Sequence, residues 1–163
     1  MEIVVVLPDI RSVHNVGSIF RTSDAAGVSK IICCGYTPTP LDRFNRVRED
    51  FKKVSLGAEA TVPWEYAKTA VGAIKKLKKD GWKIFAVEQS KDSVLYNKVP
   101  KGELRHRKIA LVMGNEVNGL SKSMLKLADR ILEIPMRGKK ESLNVGVAFG
   151  IVVFSFLGGL YKD

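Results

Sequence analysis

Three short runs, Glu2–Leu7 (EIVVVL), Lys30–Cys34 (KIICC) and Lys108–Met113 (KIALVM), are apolar at nearly every position and rich in β-branched residues. A strand with one wet face alternates apolar and polar residues. A strand that does not alternate is buried on both faces, as in a parallel sheet covered by helices. Trp82–Glu88 and Arg130–Ile134 supply two further strands. Between them the spacing predicts helices at Val16–Ala26, stopped by Gly27, at Trp64–Lys79, at Ser121–Ala128, opened by Ser121, and at Ser142–Leu160. The repeated βα order predicts an α/β fold: a mostly parallel sheet with helices on both faces and its chemistry in loops at the carboxyl ends of the strands. A chain of 163 residues suits one such domain, residues 1–163.

Two stretches resist this pattern. Asp9–Asn15 is a loop, and Gly35–Pro63 dissolves into turn formers and charge, which predicts a long, mobile, basic connection. Val145–Leu160 carries no charge, but sixteen residues are short for a membrane span. Gly146 and Gly150, with Gly158 and Gly159, suit close packing of a buried helix equally well.

Lys and Arg total 27 against 17 Asp and Glu, a net charge of +10, so the field of the molecule favours polyanions. Nucleic acid leads; a solvated lysine-rich surface is the plain alternative. Cys33 and Cys34 are adjacent within an apolar run, a spacing that fits neither a disulfide framework nor a zinc site, and they read as free, buried thiols. Reduced cysteines and an N-terminus without a leader pattern point to the cytoplasm.

The informative residues occupy three places where strands end or helices open. In the first, Asn15–Gly27, Asn15 fits a helix N-cap, while Arg21 offers a guanidinium fork suited to phosphate, or a partner for Asp24. In the second, Met113–Ser121, two glycines allow close backbone approach. The spacing matches no nucleotide triphosphate loop, and Glu116 stands ready to accept hydrogen bonds from hydroxyl or amino groups, to cap a helix or to pair with lysine. The third runs from Ile134-Pro135-Met136 through a basic loop to Glu141-Ser142-Leu143-Asn144-Val145, where Ser142 is placed to cap the last helix.

Taken in order, Asn15–Thr22 (NVGSIFRT), Leu111–Leu120 (LVMGNEVNGL) and the Ile134-Pro135-Met136 and Ser142–Val145 segments resemble the three signature motifs of the TrmH (SpoU) family of SPOUT methyltransferases. The resemblance covers nearly the whole chain. It implies a deep C-terminal trefoil knot, an exception to the rule that chains avoid knots, and an S-adenosyl-L-methionine-dependent transfer of methyl to a ribose 2′-hydroxyl of tRNA or rRNA, with no metal. It implies a cofactor site at Val87, Glu88, Met113, Gly114, Ile134, Met136 and Leu143, and a homodimer with the active site near its interface. It makes Arg21 the central catalytic residue, arranged with Asn15, Glu116, Ser142 and Asn144. An arginine is very hard to deprotonate, so Arg21 is expected to clamp phosphate and orient the hydroxyl rather than act as the base.

Gly146 departs from the family pattern, which often carries Ser there. With no appended RNA-binding domain, RNA grip falls to Arg11 beside the first motif, to Arg43, Arg46, Arg48, Lys52 and Lys53 in the long connection, and to Arg137, Lys139 and Lys140 beside the third motif. The first motif favours tRNA over rRNA. The rival readings are a base-methylating enzyme of the same fold, a non-catalytic RNA-binding module, and a small membrane protein built on the last helix.

Overall fold

A computed structural model of the chain describes residues 1–104 and 108–158. In chain order the elements are β1 (Glu2–Pro8), α1 (Val13–Ala26), β2 (Lys30–Cys34), α2 (Glu49–Ser55), α3 (Ala58–Thr61), β3 (Trp64–Ala67), α4 (Ala70–Lys79), β4 (Lys83–Val87), β5 (Val94–Leu95), a short 3-10 turn at Tyr96–Lys98, α5 (Lys101–Leu104), β6 (Lys108–Met113), α6 (Lys122–Leu125), β7 (Arg130–Glu133) and α7 (Val145–Gly158). The strands form one wholly parallel sheet in the order β3-β2-β1-β6-β4-β7-β5.

The unbroken apolar runs are explained by burial on both faces. On β1, Ile3, Val5 and Leu7 join the layer formed with Ile19 and Phe20 of α1 and Phe149 and Val152 of α7. Val4 and Val6 face the opposite layer, under Ile74 and Leu77 of α4. Helix α7 packs on both the sheet layer and α1, which accounts for its buried apolar residues, while Val147 and Phe154 on its remaining face are exposed. Among the described residues no helix is long and apolar enough to cross a membrane. Cys33 and Cys34 are free and buried, and burial pushes each thiol up to about 12, so both stay protonated.

Several boundaries differ from the sequence expectation. Helix α1 starts three residues early because Ser12, not Asn15, is its N-cap: the Ser12 hydroxyl accepts from Asn15 N at 3.2 Å. Trp64–Ala67 is an edge strand paired with β2, and α4 begins only after the Thr69 cap. Helix α6 is confined to Lys122–Leu125 behind the expected Ser121 cap. Helix α7 starts at Val145, and its expected end at Leu160 lies outside the described residues.

The largest difference is at Gly35–Pro63, which is structured. Phe51 of α2 is fully buried and meets Phe20 of α1 edge-on at 5.1 Å, so α2 is docked on α1. One anchoring aromatic among charged neighbours leaves no periodicity to read. The insertion of β7 between β4 and β5, followed by the return of residues 134–144 to α7, is consistent with the expected knot.

Candidate active site

Three loops leave neighbouring carboxyl ends of the sheet, after β4, β6 and β7, and they enclose one cavity of about 390 Å³. All seven residues expected around a cofactor line it: Val87, Glu88, Met113, Gly114, Ile134, Met136 and Leu143. Leu132, Val145 and Ala148 extend its apolar wall, and Glu116 and Ser142 supply polar groups. Sequence reasoning missed Gln89, which also lines the cavity and donates from its side chain to the Glu141 carbonyl, tying the β4 loop to the β7 loop.

Glu88 explains the two glycines of the second motif. Its carboxylate accepts from Gln89 N and Leu120 N, both at 2.8 Å, and so braces the loop from inside. A Cβ on Gly114 would lie 2.7 Å from Glu88 Oε2, and one on Gly119 would collide with the same oxygen, at a backbone φ of +62°. The glycines make room for Glu88 before they make room for any ligand.

A second set of contacts links all three motifs. Asn15 donates from Nδ2 to Glu116 Oε1 at 2.9 Å, and Asn144 donates from Nδ2 to Asn15 Oδ1 at 2.9 Å. Asn144 Oδ1 in turn accepts from Gly146 N at 2.9 Å and Val147 N at 3.3 Å. The direction of this chain is fixed at both ends: an ionised carboxylate only accepts, and helix N–H groups only donate. Each asparagine therefore has one possible amide orientation. Asn15 is buried within the network rather than serving as a cap, and Asn144, not Ser142, caps α7.

Partial burial pushes the Glu116 carboxyl up. Hydrogen bonds from the Asn15 side chain and from the backbone N–H groups of Glu116, Arg11 and Ser12 outweigh that push and hold it below its ordinary range. Glu116 is an anion at neutral pH, suited to accepting hydrogen bonds and orienting a donor.

Arg21 is exposed on α1, does not line the cavity, and makes no hydrogen bond or ion pair among the described residues. Its suggested partner Asp24 instead accepts from the Thr61 hydroxyl at 2.6 Å. Six residues along a helix displace Arg21 by about 9 Å from Asn15 and onto another face. Of the basic residues, Arg137, Lys139 and Lys140 are exposed on the loop that carries Met136 and Glu141, beside the cavity. Arg11 donates its backbone N–H to Glu116 Oε2 at 3.4 Å, and Lys52 and Lys53 are exposed on α2. Arg46 and Arg48 are paired with Asp42 and Asp50, each at 2.9 Å.

A parallel sheet with one cavity at the carboxyl ends of three adjacent strands, walled by apolar side chains and backbone, defines a ligand-binding α/β fold. The chain belongs to the SpoU rRNA Methylase family, whose pattern matches residues 2–154. It is 32% identical over 152 residues to the 23S rRNA (guanosine-2′-O-)-methyltransferase RlmB of Ralstonia nicotianae, and 33% identical over 149 residues to that of Escherichia coli K12. These matches cover 93% and 91% of this chain and 57% of each relative, so the chain spans little more than half the length of those proteins. Among solved structures, the AdoMet-bound rRNA methyltransferase from Sinorhizobium meliloti superposes with a TM-score of 0.86 at 28% identity, over 99% of this chain and 57% of that one. The A. aeolicus TrmH/SpoU tRNA modifying enzyme superposes with a TM-score of 0.80 at 28% identity, over 97% and 74%.

Proposed function

We propose that residues 1–163 act as an S-adenosyl-L-methionine-dependent RNA 2′-O-ribose methyltransferase. The observation that carries this reading is the convergence of the second and third motifs on one cavity, with the first motif tied to the cavity residue Glu116 through the Glu116–Asn15–Asn144 chain. The cavity fits the cofactor: apolar walls from Val87, Ile134 and Leu143 suit an adenine ring, and loop backbone with the Glu88 and Glu116 carboxylates suits amino and hydroxyl donors.

When bound, S-adenosyl-L-methionine supplies a methyl group made electrophilic by its sulfonium. This chain's residues have to orient the ribose hydroxyl in line with that methyl and allow its proton to leave as the O–C bond forms. Glu116, held as an anion, orients a hydroxyl; the two asparagines hold Glu116. Ser142, on the cavity wall and not engaged in capping, is free to donate to substrate. Arg21 clamps the neighbouring phosphate, and phosphate or water takes the proton.

Because Arg21 lies outside the cavity of its own copy, the working enzyme is a homodimer in which a second copy completes the site. The apolar face of α7 supports this, with Val147 52% exposed and Phe154 48% exposed. The RNA-contacting set is Arg11, Arg43, Lys52, Lys53, Arg137, Lys139 and Lys140, with Arg46 and Arg48 restrained by their carboxylate partners, and the reaction is cytoplasmic. The relatives at 32% and 33% identity are named for 23S rRNA, which favours ribosomal RNA over the tRNA expectation. Incubation with labelled S-adenosyl-L-methionine and unmodified tRNA or rRNA tests the proposal. Label in RNA, lost in Arg21→Ala, is the expected result; cofactor binding with no transfer to either pool contradicts it.

A further inference from the structure

At the other end of the same sheet edge, beyond β2 and β3, three aromatic rings stand in water: Tyr36 is 56% exposed, Phe44 61% and Tyr66 57%. One exposed aromatic is unremarkable, but these three line a single open concavity of about 710 Å³ together with Arg43, Arg46 and Trp64. The guanidiniums of Arg43 and Arg46 lie over the Phe44 ring, 4.7 Å and 5.0 Å from its centre, and that of Arg11 lies 5.9 Å from the centre of Tyr36.

The backbone that carries Phe44 and Tyr36 is held in place. Asp42 accepts from Phe44 N at 2.8 Å and Arg46 N at 3.0 Å, closing a tight turn bracketed by the Leu41 and Val47 bridge with Asn45 at φ +60°. Tyr36 N donates to Asp9 at 3.2 Å, and buried Thr37 ties the β1 and β2 loops by donating to Leu7 O and accepting from Ile10 N. Presentation of this kind lowers the ordering cost of a stacking ligand.

The concavity offers partners to both parts of a nucleotide. Its lining carries three arginines, Arg43, Arg46 and Arg48, against one acid, Asp42, and Arg46 and Arg48 are already paired, with Asp42 and Asp50. Arg43 is left to meet phosphate, while rings and guanidinium planes stack well on unpaired bases. Arg11 joins this patch to the active site: its backbone N–H reaches Glu116 while its guanidinium covers Tyr36.

We propose that Tyr36, Phe44 and Tyr66 form a stacking platform for unpaired RNA nucleotides flanking the methylated one, so that the substrate is presented as single strand or splayed loop rather than duplex. This rests on the RNA methyltransferase reading above. The test uses a short single-stranded oligoribonucleotide bearing the fluorescent base 2-aminopurine, and the full chain with Phe44→Leu or Phe44→Trp. Exposure of Phe44 at a turn tip leaves both variants folded. Stacking predicts about 5-fold to 100-fold weaker single-strand binding for Phe44→Leu, near-normal binding for Phe44→Trp, and an unchanged salt slope for both. Equal affinity of Phe44→Leu and the unaltered chain, a changed salt slope, or an equal loss for a duplex of the same sequence overturns the platform. Methyl transfer is scored separately: transfer with Phe44-independent binding overturns only the platform, and Phe44-dependent stacking with no transfer to any RNA overturns only the methyltransferase reading.

Discussion

The two ends of the sheet's carboxyl edge are built differently. Around the cavity, side-chain bonds span the chain: Asn15 to Glu116 crosses 101 positions and Asn144 to Asn15 crosses 129. At the Phe44 turn the bonds are local, Arg46 to Asp42 over four positions and Arg48 to Asp50 over two, while Tyr36 and Thr37 beside it reach across the chain, to Asp9, Ile10 and Leu7. Long-range wiring fixes polar groups of α1 and of two loops against one another, so a change at one is felt at the others. Local wiring makes a self-contained unit that displays surface groups and tolerates change. The first arrangement suits chemistry and the second suits contact.

The largest expected effect separates the two directly. Asn15→Ala should lower methyl transfer about 100-fold through misplacement of Glu116 and Asn144, and cost about 1 kcal/mol of stability for the lost hydrogen bonds. Steady-state kinetics beside urea denaturation checks both. Wild-type kinetics in this variant would break the claim that the network positions the site.

Next is Gly119→Ala, which places a methyl group against Glu88. It should weaken S-adenosyl-L-methionine binding about tenfold, or about 1.4 kcal/mol, by calorimetry. Glu88→Ala alone should also weaken binding, and the double variant should lose less than the sum of the two single losses, because the clash is with this side chain while the backbone strain at φ +62° persists.

A smaller effect follows from the Glu116 carboxyl, held below its ordinary value of 4.5 in the fold. Its depressed folded value makes its stabilisation complete at neutral pH and removes it as pH falls through the acidic range. Glu116→Gln should flatten that acid limb in a pH series of denaturation curves, and an unchanged limb would show that other carboxylates set it. The smallest effect belongs to the local end. Arg46→Ala should change stability by no more than about 1 kcal/mol, since its ion pair is exposed.

Much of this was legible in sequence because it depends on residue type near a strand end. Runs such as EIVVVL announced burial on two faces, and the glycines, Glu116 and the Ile134-Pro135-Met136 segment marked loops that do converge on the cavity. What escaped depends on distance in space. Asn15 is as good an N-cap by type as Ser12, and only the fold brings Glu116 and Asn144 to its amide. Trp64–Ala67 is four residues long and runs straight into a helical pattern, too short for strand alternation to register. Arg21 lies outside the cavity, a fact no linear pattern contains.

The most direct test is where the methyl group goes. RNA labelled by the unaltered chain and by Asn15→Ala would be hydrolysed with alkali and, in parallel, digested to nucleosides. The account predicts label in an alkali-resistant dinucleotide and a 2′-O-methyl nucleoside, strongly reduced in the variant. Label on a base, or equal labelling by both proteins, would contradict it.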